Sequence, residues 1–203
     1  MLELDHLAVA ARTLDEGRAY VEKALGIAVQ SGGNHARYGT HNLLAGLEDG
    51  LYLEVISVDP DAATPVDPRW FRLDEFNAAP CLHNWICWTE DMAAALPNLP
   101  AGVGQPVDLQ RGDLRWQMAV PEDGRLPYDD TCPAVIQWHG RHPAPSLTPT
   151  GARLVRLVVQ HPKARELAAQ MAVILSDPRV VFEPAPAPSL HAEFDVNGAV
   201  RRL

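Results

Sequence analysis

The chain has 203 residues, 47% apolar and 21% charged, which suits one large domain with a real core and excludes a wholly disordered chain. Seventeen Lys and Arg stand against 26 Asp and Glu, a net charge of −9, so phosphate backbones are repelled and nucleic acid is set aside as a partner. No apolar run reaches the ~18–20 residues needed to cross a bilayer, and the start MLELDHLAVAARTLDEG lacks the basic-then-apolar order of a signal peptide; a cytoplasmic protein with no membrane contact is expected.

In chain order, residues 2–10 alternate as a strand does. Thr13-Leu-Asp-Glu16 then reads as a capping box, with a hydroxyl and a carboxylate for orphan amides at a helix start. Leu14, Val21, Ala24 and Leu25 recur at helical spacing, and Gly26 fits the stop. Strand-like runs follow at 27–31, 36–47 and 51–58, with turns at Gly32-Gly33 and Glu48-Asp49-Gly50. This unit is β-α-β-β-β. A second copy opens with a strand at 82–88, continues with a short helix at 89–96 stopped by Pro97, and adds strands at 107–110, 114–120 and 134–138. A degenerate third copy has a strand at 153–160, a helix opening at Pro162 that carries Leu167, Met171 and Ile174 on one face, and strands at 180–183, 190–195 and 199–202. The expected organisation is a single domain over 1–203, with modules at 1–58, 82–139 and 152–203. Proline-bearing linkers fill 59–81 and 139–152.

Overlaying the copies sets His6 against His83 on the opening strand and Glu54 against Gln137 on the closing one. Alternation puts Leu4, His6 and Ala8 on one face and Tyr52, Glu54 and Ile56 on one face. A carboxylate among apolar residues is costly unless paired or metal-bound, and imidazole with carboxylate suits Zn, Mn, Ni or Fe. Two plainer arrangements also satisfy these residues: a hydrogen-bonded strand histidine, and a Glu54 paired with Arg37 or Arg111. Arg156 takes the histidine's place in the third copy, which therefore supplies no ligands. Cys81, Cys87 and Cys132 lack CxxC spacing and read as reduced thiols.

A repeated βαβββ unit with an early His and a late Glu resembles the vicinal oxygen chelate superfamily, which includes glyoxalase I, extradiol dioxygenases and bleomycin-resistance proteins. The glyoxalase-like-domain branch is the nearest likeness, carried by LDHLAVAARTLDEG at 4–17, YGTHNLL at 38–44, LYLEVISVDP at 51–60, RGDLRW at 111–116, PAVIQW at 133–138 and HP at 142–143. The resemblance implies an α+β fold: paired modules forming a cupped mixed sheet with helices packed outside. It implies a divalent metal held by His6, Glu54, His83 and Gln137, with Gln137 departing from the usual acid. The cup would form within one chain or across a homodimer.

The expected activity is a metal-dependent lyase or isomerase acting on a small substrate with vicinal oxygens, with Glu54 as ligand and base. Two alternatives stand beside it: a metal-free protein that sequesters a small molecule, and an extradiol-type dioxygenase using His6, His83 and Glu54. Asn42 can orient a substrate carbonyl or cap a turn, and His41 lies beside it. Arg111 can clamp a carboxylate or sit in a surface turn. Trp85, Trp116 and Trp138 can line an apolar pocket or pack the core. His35, flanked by Gly32-Gly33 and Asn34, reads as an exposed loop residue.

Overall fold

The computed structural model describes residues 1–203. Its first unit runs β1 (Glu3–Ala10), α1 (Leu14–Leu25), β2 (Gln30–His35), β3 (Thr40–Gly46) and β4 (Tyr52–Val58). The second runs β5 (Cys81–Trp88), α2 (Met92–Ala95), β6 (Gln105–Arg111), β7 (Leu114–Val120) and β8 (Ala134–Trp138). The last runs β9 (Ala152–His161), α3 (Ala164–Met171), β10 (Val180–Pro184), β11 (Ser189–Val196) and β12 (Ala199–Arg202).

The first two units share one sheet of eight strands, one half each, in the order β2-β3-β4-β1-β5-β8-β7-β6. β1 pairs with β4 in parallel and with β5 antiparallel, so the opening strands of the two halves meet at its centre. The third forms its own sheet, β10-β9-β11-β12. The larger core unites Leu7, Val9, Trp85 and Cys87 of the first sheet with Leu157, Val159 and Phe194 of the second, and with Leu167 and Met171 of α3. The third unit thus covers the outer face of the large sheet. The fold is α+β, a cupped mixed sheet with helices outside.

Local chemistry explains the elements. The Thr13 hydroxyl accepts from the Glu16 amide at 3.2 Å, and Gly26 takes the left-handed conformation (φ 72°) that ends α1. The reciprocal half of the expected capping box is missing, because the Glu16 carboxylate pairs with Arg12 at 3.0 Å. β2 departs further from expectation. It starts at Gln30 and runs through Gly32-Gly33 with a bulge, and the turn to β3 falls at 36–39 instead. A Cβ at Gly32 would lie 2.0 Å from Asn42 Oδ1 and 2.9 Å from the Asn42 carbonyl oxygen. The pair of glycines therefore admits neighbouring side chains rather than turning the chain. Gly32→Ala is expected to cost about 1–3 kcal/mol, as overpacking does, read by urea unfolding; an unchanged midpoint would count against this close approach.

Candidate functional site

The concave face of the large sheet is an aromatic and aliphatic cup with one polar floor. Alternation places Ala8 and Ala10 of β1, Ile86 of β5, Trp116 and Met118 of β7, and Ile136 of β8 in the apolar cluster on this face. Trp70 and Phe71 join them from the 59–81 linker, through a turn at Trp70–Arg72 in which Phe71 (φ 58°) and Arg72 (φ 52°) are left-handed. That turn is braced by the Arg72 pair with Asp130 at 3.2 Å and by the Arg72 amide donating to the Gly124 carbonyl. The space left between these walls is about 30 Å³.

On the floor His6, Glu54, Asn42 and His35 are all buried. A bulge at Asp5 breaks the β1–β5 register between Leu4 and His6. It turns Leu4 into the core on the other face, against simple alternation. It also brings the Asp5 carboxylate onto His6, with Nδ1 donating to Oδ1 at 2.5 Å. Asp5 Oδ2 accepts from Trp138 Nε1 at 2.8 Å and meets His142 Nε2 at 3.0 Å. The Tyr52 ring stacks on His6 with centroids 4.3 Å apart. The other imidazole nitrogen, Nε2, faces Glu54 Oε2 at 3.6 Å, too long for a hydrogen bond.

Glu54 Oε1 accepts from Asn42 Nδ2 at 2.5 Å. Asn42 Oδ1 accepts from the Gly33 amide at 2.8 Å and from Arg111 Nη1 at 3.2 Å. Arg111 Nη1 also donates to His35 Nε2 at 3.2 Å, so the His35 proton lies on Nδ1, 3.0 Å from Thr40 Oγ1.

Electrostatics separates the groups. Burial disfavours a charged His6, but its bonds to Asp5 and the pull of Glu54 outweigh that and raise it to about 9. Burial likewise opposes ionisation of Glu54, yet His6 and Asn42 hold it at about 2. Asp5 is kept well below the usual carboxylate range by His142 and His6, against its own burial. Burial lowers His35 to about 4, with Arg111 adding to the effect. The floor at neutral pH is a carboxylate, an imidazolium and a second carboxylate in a row, beside a neutral histidine.

Several expected site residues lie elsewhere. His83 is the extra residue of a second bulge, between the Ala8–Asn84 and Val9–Leu82 pairs, and its Nε2 bonds the Phe71 carbonyl at 2.8 Å. The β5 residue that faces His6 is Ile86. Gln137 points to the outer face, where its Oε1 accepts from the Met92 amide at 2.8 Å and its Nε2 donates to the Glu90 carbonyl at 2.9 Å, tying down the start of α2. Its neighbours Ile136 and Trp138 take the cup side. Trp85 belongs to the core between the sheets, donating to the Thr131 carbonyl and lying against Phe182. His41 faces away from the cup, 3.8 Å from Asp59 Oδ1. Asn42, Arg111 and Trp116 line the cup. So do His35, expected as a loop residue, and Trp70, which has no signal in its linker; Asp5 and His142 back the floor and lie in stretches that carry the resemblance, without a role assigned to them there.

A resident divalent cation needs three or four protein donors in most sites. The cup offers two, His6 Nε2 and Glu54 Oε2, with Ile86 and Ile136 where the second half would supply the others. No group of three or more His, Cys, Asp or Glu in the chain is placed to hold a metal ion, and the Asp5 oxygens are taken by His6, Trp138 and His142. The residues do not fit the four-ligand metal site expected from the sequence, nor the two-His, one-carboxylate set of a dioxygenase.

The profile of a family described as a glyoxalase-like domain matches residues 4–175. Among curated proteins none matches. Among solved structures, a hypothetical protein from Staphylococcus aureus is similar over 100% of this chain and 98% of its own, at 15% identity and a TM-score of 0.62; this likeness is one of fold. Methylmalonyl-CoA epimerase from Mycobacterium tuberculosis is similar over 68% of this chain and 87% of its own, at 18% identity and a TM-score of 0.43.

Proposed function

The chain belongs to the glyoxalase-like domain family, and from there we propose that its cup moves a proton within a small carbonyl compound, an isomerase- or lyase-type reaction that uses no resident metal. One observation carries this reading: the buried pairing of His6 Nε2 and Glu54 Oε2, 3.6 Å apart. No side chain bridges the gap, and one partner donates while the other accepts. A substrate with its carbonyl oxygen at His6 and the adjacent C–H at Glu54 meets an acid and a base together. Asp5 orients the imidazole and keeps it charged, which makes it a better donor to an oxygen gaining negative charge. Asn42 holds one oxygen of Glu54, leaving the other free to take the proton. The apolar walls keep bulk water away from both.

The test is proton exchange. Small 1,2-dicarbonyl and 2-hydroxycarbonyl compounds, incubated with the protein in D2O, should exchange the C–H next to the carbonyl, read by proton NMR. No exchange with any of them would remove the proton-transfer reading. Ligand sequestration without turnover is the second reading, favoured by the Trp70, Trp116 and Trp138 walls; it predicts saturable binding with no exchange.

The metal question has its own outcome. Exchange is expected to survive dialysis against a chelator, and Zn, Mn, Ni and Fe are expected to wash off on gel filtration. Near-stoichiometric metal retained by the wild type but lost from both His6→Ala and Glu54→Ala would contradict the two-donor account.

A further inference from the structure

We propose that the molecule taken by this cup is a 2-oxo acid, with its carboxylate on Arg111 and its keto oxygen toward His6. This rests on the proton-transfer reading and adds the chemical class of the substrate.

Arg111 is the one arginine or lysine lining the cup, and no carboxylate comes within ion-pair distance of it; its hydrogen bonds go to His35 and Asn42 alone. Arg69, Arg72 and Arg125, by contrast, are paired with Asp74, Asp130 and Glu75. In a chain with nine more acids than bases, a half-buried guanidinium without a counter-charge is a cost that a bound anion would offset.

The position is built, not incidental. Arg111 ends β6, and the curl of the sheet brings this strand against β2, the opposite edge. A Cβ on Gly33 would lie 2.7 Å from Arg111 Cδ, so the glycine leaves the side chain its path. Nη1 is held on Asn42 and on His35, whose neutral ring accepts from it. Nε and Nη2 bond nothing in the chain, which leaves the edge of the guanidinium that binds a carboxylate through two parallel N–H bonds.

Spacing narrows the class. Arg111 contacts Asn42 at 3.2 Å, Asn42 contacts Glu54 at 2.5 Å, and Glu54 faces His6 at 3.6 Å. One amide separates the carboxylate anchor from the base, and the cavity is small. The shortest acid that serves both ends carries its carbonyl next to the carboxylate. In that pose Glu54 takes a proton from C3, the C–H pair becomes the C2=C3 double bond, and the keto oxygen takes the proton of His6 Nε2. The product is the enol; nothing is oxidised or reduced, and the reverse step restores both residues.

The experiment is calorimetric titration of the full chain with pyruvate, 2-oxobutyrate and pyruvamide, the last being pyruvate without its charge. At least one of the two acids is expected to bind tenfold or more tighter than the amide. Arg111→Gln is expected to erase that preference and Arg111→Lys to keep part of it, with unfolding midpoints confirming that both variants fold. Failure of both acids to bind, equal binding of acid and amide by the wild type, or an undiminished preference in Arg111→Gln would overturn the proposal. Deuterium entry into the pyruvate methyl group, followed in the same samples, reports on the proton-transfer reading alone. Acid-selective binding without deuterium entry would leave the carboxylate site standing and remove the chemistry.

Discussion

Glu54→Gln is expected to slow C–H exchange by about a hundred- to ten-thousand-fold, the range a positioned acid or base contributes. The substitution keeps the size of the side chain and an oxygen for the Asn42 amide. It removes the charge and the lone pair that would take the proton. Ligand binding is expected to change far less, because Arg111 and the cup walls are untouched. Glu54→Ala should also lose stability by about 1–3 kcal/mol, since the buried Asn42 Nδ2 loses its acceptor. Exchange by NMR and unfolding in urea separate the two effects. A Glu54→Gln protein that exchanges at the wild-type rate would end the assignment of Glu54 as base.

Asp5→Asn has the next largest expected effect, and its signature is a pH profile. His6 is raised from 6.5 to about 9 in the folded chain. The stability it contributes is complete below pH 6.5 and is lost as pH rises through 9, a fall on the order of 3 kcal/mol. His35 works in the other direction. It is lowered from 6.5 to about 4, so its contribution is complete above pH 6.5 and is lost as pH falls toward 4. Glu54, lowered to about 2, adds to the loss in stronger acid. Wild-type stability should therefore peak near pH 6.5. In Asp5→Asn the alkaline limb should flatten and the acid limb remain. The variant should also be less stable at neutral pH by about 3–5 kcal/mol, the cost of removing one partner of a buried ion pair. Urea unfolding from pH 4 to 10 reads all three; an alkaline limb undiminished in the variant would show that Asp5 does not hold the His6 proton.

The sequence carried the architecture well, because periodicity is a direct print of burial. The alternation at the start of β1, the capped helix after it and the recurrence of the whole unit lead to the observed large sheet. His6 and Glu54 were legible for the same reason, as polar residues on faces otherwise apolar. The second half of the proposed ligand set failed on parity. A strand has a period of two, so one residue decides the face, and an alignment free to slide by one cannot tell Gln137 from Ile136 or Trp138. Bulges at Asp5 and His83 reset that parity and leave no mark in composition. His35 was hidden by its glycines, which read as a turn while serving as clearance for Asn42 and Arg111. Trp70 and Phe71 come from a linker whose left-handed turn at Phe71 and Arg72 uses residues with no preference for it.

The two halves of the large sheet have ended up unlike each other. The acid and the base sit in the first half, on β1 and β4, whereas β5, β7 and β8 contribute Ile86, Trp116, Met118 and Ile136. A change of bulk at these four positions would redraw which molecules fit without touching the acid or the base. Two units of one architecture can thus diverge along separate axes, one half preserving a reaction while the other explores new clients.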